Sequence, residues 1–392
     1  MAPEVVSRVT LGPRLVEYEL YSPTLREPTA LRILFPAAYG ENTARFPVLY
    51  LLHGGDDDYR AWTDKGGAAE ATQSLPVIVV MPNARNGFYS DWVKPGRYGR
   101  TAWETFHIGE LVPWVDSTFR TEARRESRAL AGLSMGGFGA MSYAARHPDL
   151  FSAAASFSGA LDTNVYTFIP GIAARRDGGA RGSIWGDRAT NATRWRAHNP
   201  WDLAANLRGM TLAVRTRTGL PGPLDRDRRP DPVEAIVFHE SLRFHRRLAA
   251  LGIGHTWHYG PGTHDWPYWA VDLRETLPIL HKAFLRPPPI PSPVTHVSAE
   301  PSYRAYGWEV RVSPAHMEFS QLSDADKNGF SLTGRGIAHV RTPALFEPDR
   351  TCTVTIDQLH TELTADSAGR LDFRLQLGRR KPGTVRVRIG VA

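Results

Sequence analysis

The stretch Ala129-Leu130-Ala131-Gly132-Leu133-Ser134-Met135-Gly136-Gly137 sets a serine between glycines two residues to either side, after an apolar run and before a segment rich in Ala and Gly. A strand that turns into a helix through Gly-x-Ser-x-Gly lifts the serine onto a strained turn at the sheet edge, where flanking side chains would clash. The following helix aims its first N–H groups at that serine. A plain Gly-rich turn is the alternative reading; the position of the motif and the partners found elsewhere in the chain favour a nucleophile elbow with Ser134 as nucleophile.

Around the elbow, Val48 to Leu52 and Val77 to Met81 are short continuous apolar runs, the pattern of strands buried on both faces of a parallel sheet. Ile108, Leu111, Val112, Val115 and Phe119 fall at the spacing of one helix face. A second such face runs through Val233, Val237, Phe244, Leu248 and Leu251, with Gly252 placed for a left-handed terminator. Strands alternating with helices predict a doubly wound α/β sheet with helices on both faces.

The run Arg286-Pro287-Pro288-Pro289-Ile290-Pro291-Ser292-Pro293 favours extended chain, so a Pro-rich linker is expected over 287–294, between a domain at 1–286 and a second at 295–392. Beyond it the apolar period becomes two. Trp308, Val310 and Val312 alternate with polar residues, as do Leu371, Phe373, Leu375 and Leu377, and then Val385, Val387 and Ile389. A C-terminal β-sandwich follows, with a binding role as one option. Tyr303, Tyr306 and Trp308 suit a sandwich core better than a sugar platform.

The 392 residues, 42% hydrophobic and 22% charged, fit a folded chain of two domains and exclude a disordered one. The net charge of +7 comes from scattered arginines, and runs such as Arg226-Asp227-Arg228-Arg229 are short and mixed with acid. That pattern is a solvated basic surface and argues against a nucleic-acid partner. A single cysteine, Cys352, forms no intrachain disulfide and no cysteine-based metal site. No apolar run reaches the length of a transmembrane helix, and the amino terminus has no basic-then-apolar leader; the chain is either cytoplasmic or had a leader removed.

A serine hydroxyl needs a base within hydrogen-bond reach, and behind an elbow the chain order is nucleophile, acid, histidine. His264 has the right context, since strand-like Thr256 to Tyr259 leads through Gly260-Pro261-Gly262-Thr263 to His264, and a helix resumes at Pro267. His239, His245 and His281 sit on helical stretches instead. For the acid, Glu234, Asp225, Asp227 and Asp231 all lie between the two, and spacing does not choose among them. An oxyanion hole needs two backbone donors: Met135, after the nucleophile, is expected to supply one, and His53-Gly54-Gly55, after the strand ending at Leu52, the other through Gly55 or its neighbour.

These residues resemble the esterase D branch of the α/β-hydrolases, and within it the antigen 85 mycolyltransferases, from about Val16 to about Leu285. The landmarks are Tyr50-Leu51-Leu52-His53-Gly54, Val79-Val80-Met81-Pro82, Phe88-Tyr89-Ser90-Asp91-Trp92, Trp103-Glu104-Thr105-Phe106, Ile184-Trp185-Gly186 and Gly262-Thr263-His264-Asp265-Trp266-Pro267-Tyr268-Trp269, together with the elbow. The resemblance implies an α/β-hydrolase fold, no cofactor or metal, and Glu234 as the acid, with Asp225 in reserve. It also implies a substrate-binding place for His53, Asp56 and Trp266. Mycolyltransferases have an Asp where this chain has His53 and an Arg close to Asp56, both implicated in holding trehalose, while Trp266 is retained. The expected activity is therefore that of a serine carboxylesterase acting on an ester or acyl-lipid substrate through a Ser-His-Glu triad. The alternatives are an acyltransferase with a carbohydrate or other alcohol as acceptor, and a noncatalytic cell-wall or glycan-binding protein. Because the family is mostly exported, a secreted or envelope-associated protein is expected. Residues 163–198, with Trp185 and Trp195, are expected to cap the site.

Overall fold

The apolar runs that bracket the elbow become adjacent strands in a computed structural model, which describes residues 2–391. The chain divides into two units, residues 2–144, 150–204 and 210–288 in one and residues 145–149, 205–209 and 289–391 in the other.

The strands of the first unit are β1 (Glu4–Thr10), β2 (Leu15–Ser22), β3 (Glu27–Leu34), β4 (Val48–Leu52), β5 (Ile78–Pro82), β6 (Arg128–Leu133), β7 (Ala153–Phe157), β8 (Thr211–Arg217) and β9 (Thr256–Gly260). The described residues join them into one nine-stranded sheet of order β1-β2-β3-β5-β4-β6-β7-β8-β9. From β5 to β9 neighbours are parallel, with Leu49 opposite Val79 and Ala129, and Ala131 opposite Ala155. The sheet is mixed rather than uniformly parallel: β1, β2 and β3 form an antiparallel meander whose last strand pairs antiparallel with β5. Its signal is the period of two in β2, where Val16, Tyr18 and Leu20 point inward.

The helices are α1 (Ala61–Asp64), α2 (Ala68–Ala71), α3 (Val112–Thr118), α4 (Met135–Arg146), α5 (Phe168–Arg176), α6 (Ala192–His198), α7 (Pro200–Leu203), α8 (Pro232–Ala250) and α9 (Trp266–Leu285). Leu49, Leu51, Val79, Ala129, Ala131, Ala155 and Ala213 share one core with Trp269, Leu273, Leu277 and Leu280 of α9. The intervening Tyr50, Val80, Leu130, Ala154 and Val214 are equally buried, so both sheet faces are covered. The helix expected around Ile108 to Phe119 is a π-helical segment, Thr105–Leu111, running into α3. Gly252 follows α8 at φ +65°, the left-handed terminator its position suggested.

The second unit contains β10 (Val294–Ser298), β11 (Ser302–Ala305), β12 (Trp308–Ser313), β13 (Ser320–Asp326), β14 (Gly329–Gly334), β15 (Ile337–Arg341), β16 (Thr351–Ile356), β17 (Leu359–Thr364), β18 (Asp372–Gln376) and β19 (Gly383–Val391). Its antiparallel sheets run β10-β13-β14-β19-β16-β17 and β11-β12-β15-β18. Alternate residues of both, including Val310, Leu332, Val340, Phe373 and Val387, fill one core. Tyr303, Tyr306 and Trp308 are buried in that core, which leaves them no sugar-facing surface. Val294, the last position of the expected linker, already belongs to β10. No helix among the described residues is long and apolar enough to cross a membrane.

Candidate active site

Ser134 occupies the single residue between β6 and α4 at φ +53°, the strained conformation an elbow imposes. The flanking glycines are required by contact with backbone. A Cβ on Gly132 would meet the Gly136 carbonyl oxygen at 2.4 Å, one on Gly136 would meet Leu52 O at 2.5 Å, and one on Gly137 would approach Gly159 Cα to 2.9 Å. The Ser134 amide donates to Phe157 O at 2.8 Å, tying the turn to β7.

Three side chains from separate segments meet in series. His264 Nε2 lies 2.8 Å from Ser134 Oγ, and His264 Nδ1 lies 2.6 Å from Glu234 Oε2. An ionised carboxylate only accepts, so Nδ1 carries the proton and Nε2 receives the serine hydroxyl. Glu234, in the first turn of α8, is fully buried, and its Oε1 accepts from Ser158 Oγ at 2.8 Å, Thr216 Oγ1 at 3.0 Å and the Arg217 amide. Both carboxylate oxygens that burial takes from water are thus hydrogen-bonded. The His264 ring also packs edge-on against Trp269, with centroids 4.8 Å apart.

The remaining acids divide by partner. Asp231 caps α8 by accepting from Val233 N at 2.8 Å, and its other oxygen accepts the His264 backbone N–H at 2.8 Å. It therefore fixes the loop that carries the histidine to the helix that carries Glu234. Asp225 accepts from Thr263 Oγ1 and from Tyr268 Oη, and Asp227 pairs with exposed Arg229. Asp225, held in reserve as the acid, is thus bonded away from the imidazole.

Gly55, Asp56, Met135, Ser134 and His264 line one cavity of about 360 Å³. Its walls are Phe168, Ile169, Ile172 and Ala173 of α5 and Val233, Ile236 and Val237 of α8. Gly54 brings the early loop close, since a Cβ there would stand 3.5 Å from Ser134 Cβ. At the mouth Asp56 Oδ2 pairs with Arg176 Nη2 at 2.7 Å, and the Asp56 amide donates to Asn86 Oδ1 at 2.9 Å. Asn86 is held in turn by Asp177, beyond the end of α5. Neither Asn86 nor the Asp231 bridge is visible as a site feature in the sequence; the Asp cap before Pro232 offers the one signal for the bridge, and α5 is legible there only as part of the cap expected over 163–198.

Two residues expected to bind substrate are placed elsewhere. His53 is 1% exposed; its Nδ1 bonds Gly54 O at 2.7 Å and its Nε2 accepts the Ala84 amide at 2.9 Å. Burial holds its pKa below the ordinary histidine value. The ring braces the loop and is no wall of the cavity. Trp266 packs edge-on against Trp62 and Trp269, with centroids 5.2 and 5.4 Å away, and is absent from the cavity lining. Within the expected cap, α5 does reach the site, whereas Trp185 and Trp195 are buried in an aromatic cluster with Phe138.

A mostly parallel sheet covered on both faces, an elbow serine and a histidine on the loop after the last strand define an α/β-hydrolase. The chain belongs to the Esterase family, whose model matches residues 22–280. It is 32% identical over 274 residues to Esterase Rv1288 of Mycobacterium tuberculosis, a match covering 66% of this chain and 58% of that protein. It is 34% identical over 259 residues to the diacylglycerol acyltransferase/mycolyltransferase Ag85A of Mycobacterium gordonae, covering 60% of this chain and 74% of that one. Among solved structures, MPT51 of Mycobacterium tuberculosis aligns with a TM-score of 0.54 and 26% identity over 67% of this chain and 96% of its own.

Proposed function

We propose that this chain is a serine carboxylesterase that works through a covalent acyl-enzyme. The observation that carries the reading is the hydrogen-bonded series Ser134, His264, Glu234 opening onto an apolar cavity. In the first half-reaction Ser134 Oγ attacks the ester carbonyl while His264 Nε2 takes the hydroxyl proton. The Met135 and Gly55 amides face the developing oxyanion, and His264 returns the proton to the departing alcohol. Water, deprotonated by the same nitrogen, then attacks the acyl-serine; the acid leaves and the proton returns to Ser134. Glu234 holds the imidazole in the required tautomer and offsets the positive charge that forms on it.

Acyl transfer to a second alcohol uses the same groups, and the likeness to Ag85A supports it as the second reading. Hydrolysis is favoured because His53 is buried and Asp56 is engaged by Arg176, so neither is free to hold a sugar. The same intact series counts against a noncatalytic glycan-binding role. We read the second unit as a β-sandwich.

A fluorophosphonate probe tests the assignment. It is expected to label Ser134 and to lose all labelling in Ser134→Ala; undiminished labelling of that variant removes the nucleophile. Product analysis with p-nitrophenyl butyrate, with and without trehalose or glycerol, separates the two readings, since a transferase yields the acylated acceptor.

A further inference from the structure

Behind the triad two arginines are buried side by side. Arg215 and Arg217, two apart on β8 and so on one face of it, are each 5% exposed. Both donate to the same oxygen of Asp272 on α9: Arg215 Nε lies 3.0 Å and Arg217 Nη2 2.5 Å from Oδ1. Asp272 is fully buried, and its other oxygen has no hydrogen-bond partner among the described residues, so those two guanidiniums answer its charge. Glu275, a turn further along α9 and half exposed, also pairs with Arg215.

This group reaches both ends of the Glu234–His264 bond. On the β8 side, Thr216 Oγ1 and the Arg217 backbone N–H donate to Glu234 Oε1 at 3.0 and 2.5 Å. On the α9 side, His264 directly precedes the Asp265 cap of the helix, and Trp269 packs against the imidazole. Arg217 touches both sides. Its guanidinium stands 5.2 Å from the Tyr268 ring centroid, and a Cβ on Gly262, two residues before His264, would meet Arg217 Cγ at 2.9 Å. Asp272 therefore ties the strand end that grips the acid to the helix that follows the base. Buried ions of this kind are a poor source of stability, since apolar side chains of similar volume often replace them without loss. Direction is what they add, because hydrogen bonds weaken steeply when misaligned and apolar contacts do not.

We propose that Arg215, Asp272 and Arg217 form a positioning clamp that holds Glu234 in register with His264, so that Asp272 acts on turnover through the glutamate. The inference rests on the triad reading and extends it to residues that touch no substrate.

Steady-state hydrolysis of p-nitrophenyl butyrate tests the clamp. Asp272→Asn keeps the shape and removes the charge the guanidiniums share; kcat should fall about 10- to 100-fold with KM within about twofold. Glu275→Gln takes an equal charge from Arg215 at the exposed end and should leave kcat within about twofold. The deciding readout is the cycle with Glu234→Gln: in that background Asp272→Asn should lower kcat by less than about threefold further, because the group it acts through is already disabled. The same fall in both backgrounds would show a general structural role and overturn the proposal, as would an unchanged kcat in Asp272→Asn or a loss in Glu275→Gln as large as that in Asp272→Asn. Should Asp272→Asn fail to fold, Arg215→Met/Arg217→Met/Asp272→Leu removes the three charges together and is expected to fold, with kcat still about 10- to 100-fold down. Parental kcat in that variant, or failure of both variants to fold, also ends the proposal. Parental kcat in Glu234→Gln alone would instead remove the triad reading, whereas an active Asp272→Asn beside a disabled Glu234→Gln removes the clamp and leaves the triad standing.

Discussion

At Asp231 a single carboxylate holds two segments that must stay in register, because one oxygen caps α8 and the other fixes the backbone of His264. Asp231→Ala should lower kcat about 10- to 100-fold with little change in KM, since displacing the base by about 1 Å costs that much. The lost cap should remove about 1 kcal/mol of stability. Steady-state kinetics and urea unfolding check both, and an unchanged kcat denies the bridge its role. Glu234→Gln keeps the shape but supplies an amide where Nδ1–H needs an acceptor, and should cost about 100- to 10,000-fold in kcat. At this scale the sequence left Glu234, Asp225, Asp227 and Asp231 equivalent, because the loop after β8 has no periodicity to say which carboxylate turns inward. Their hydrogen bonds differ: Glu234 meets His264 Nδ1, Asp225 accepts from Thr263 and Tyr268, and Asp231 accepts from backbone amides.

The elbow is the element most legible in the sequence, because its glycines answer to backbone. Gly136→Ala drives a Cβ into the carbonyl oxygens of Leu52 and His53 at 2.5 and 2.6 Å, neither of which can swing aside. The variant should lose about 3 kcal/mol or more, or fail to fold. Gly109→Ala is the matched control, for the nearest atom to its Cβ lies 4.0 Å away, and its stability should stay within about 1 kcal/mol of the parent. Thermal melts of the pair make the comparison; equal loss would mean that the elbow is not sterically closed. β4 was readable for a related reason: a strand buried on both faces must be apolar throughout. Edge strand β1, exposed along its whole length, carries no such mark, and α5 draws its apolar face from a cavity that appears only once the fold has closed.

Across the whole molecule, stability should depend on acid through histidines that folding keeps neutral. Burial pushes His107 and His296 down to about 3 from the ordinary 6.5. The folded chain therefore binds fewer protons than the unfolded one between those values, and stability is lost as pH falls below about 6.5. Each such group contributes up to about 1.4 kcal/mol per pH unit in that window. Urea midpoints between pH 7 and 5 should fall accordingly, and His107→Gln should flatten the dependence of the transition it belongs to; an unchanged slope contradicts the burial argument. The change of apolar period after the prolines marks where the strands from β10 onward follow α9, whereas the mixed sheet of the first unit leaves the period of two in β2 as its mark.

The central claim is that the Ser134 hydroxyl becomes acylated during turnover. Rapid acid quench of the enzyme with p-nitrophenyl octanoate, followed by peptide mass analysis, measures this directly. The account predicts an octanoyl adduct on the peptide containing Ser134, formed in step with a burst of p-nitrophenol. Turnover with no adduct at Ser134 at any quench time, or an adduct on another residue, would contradict it.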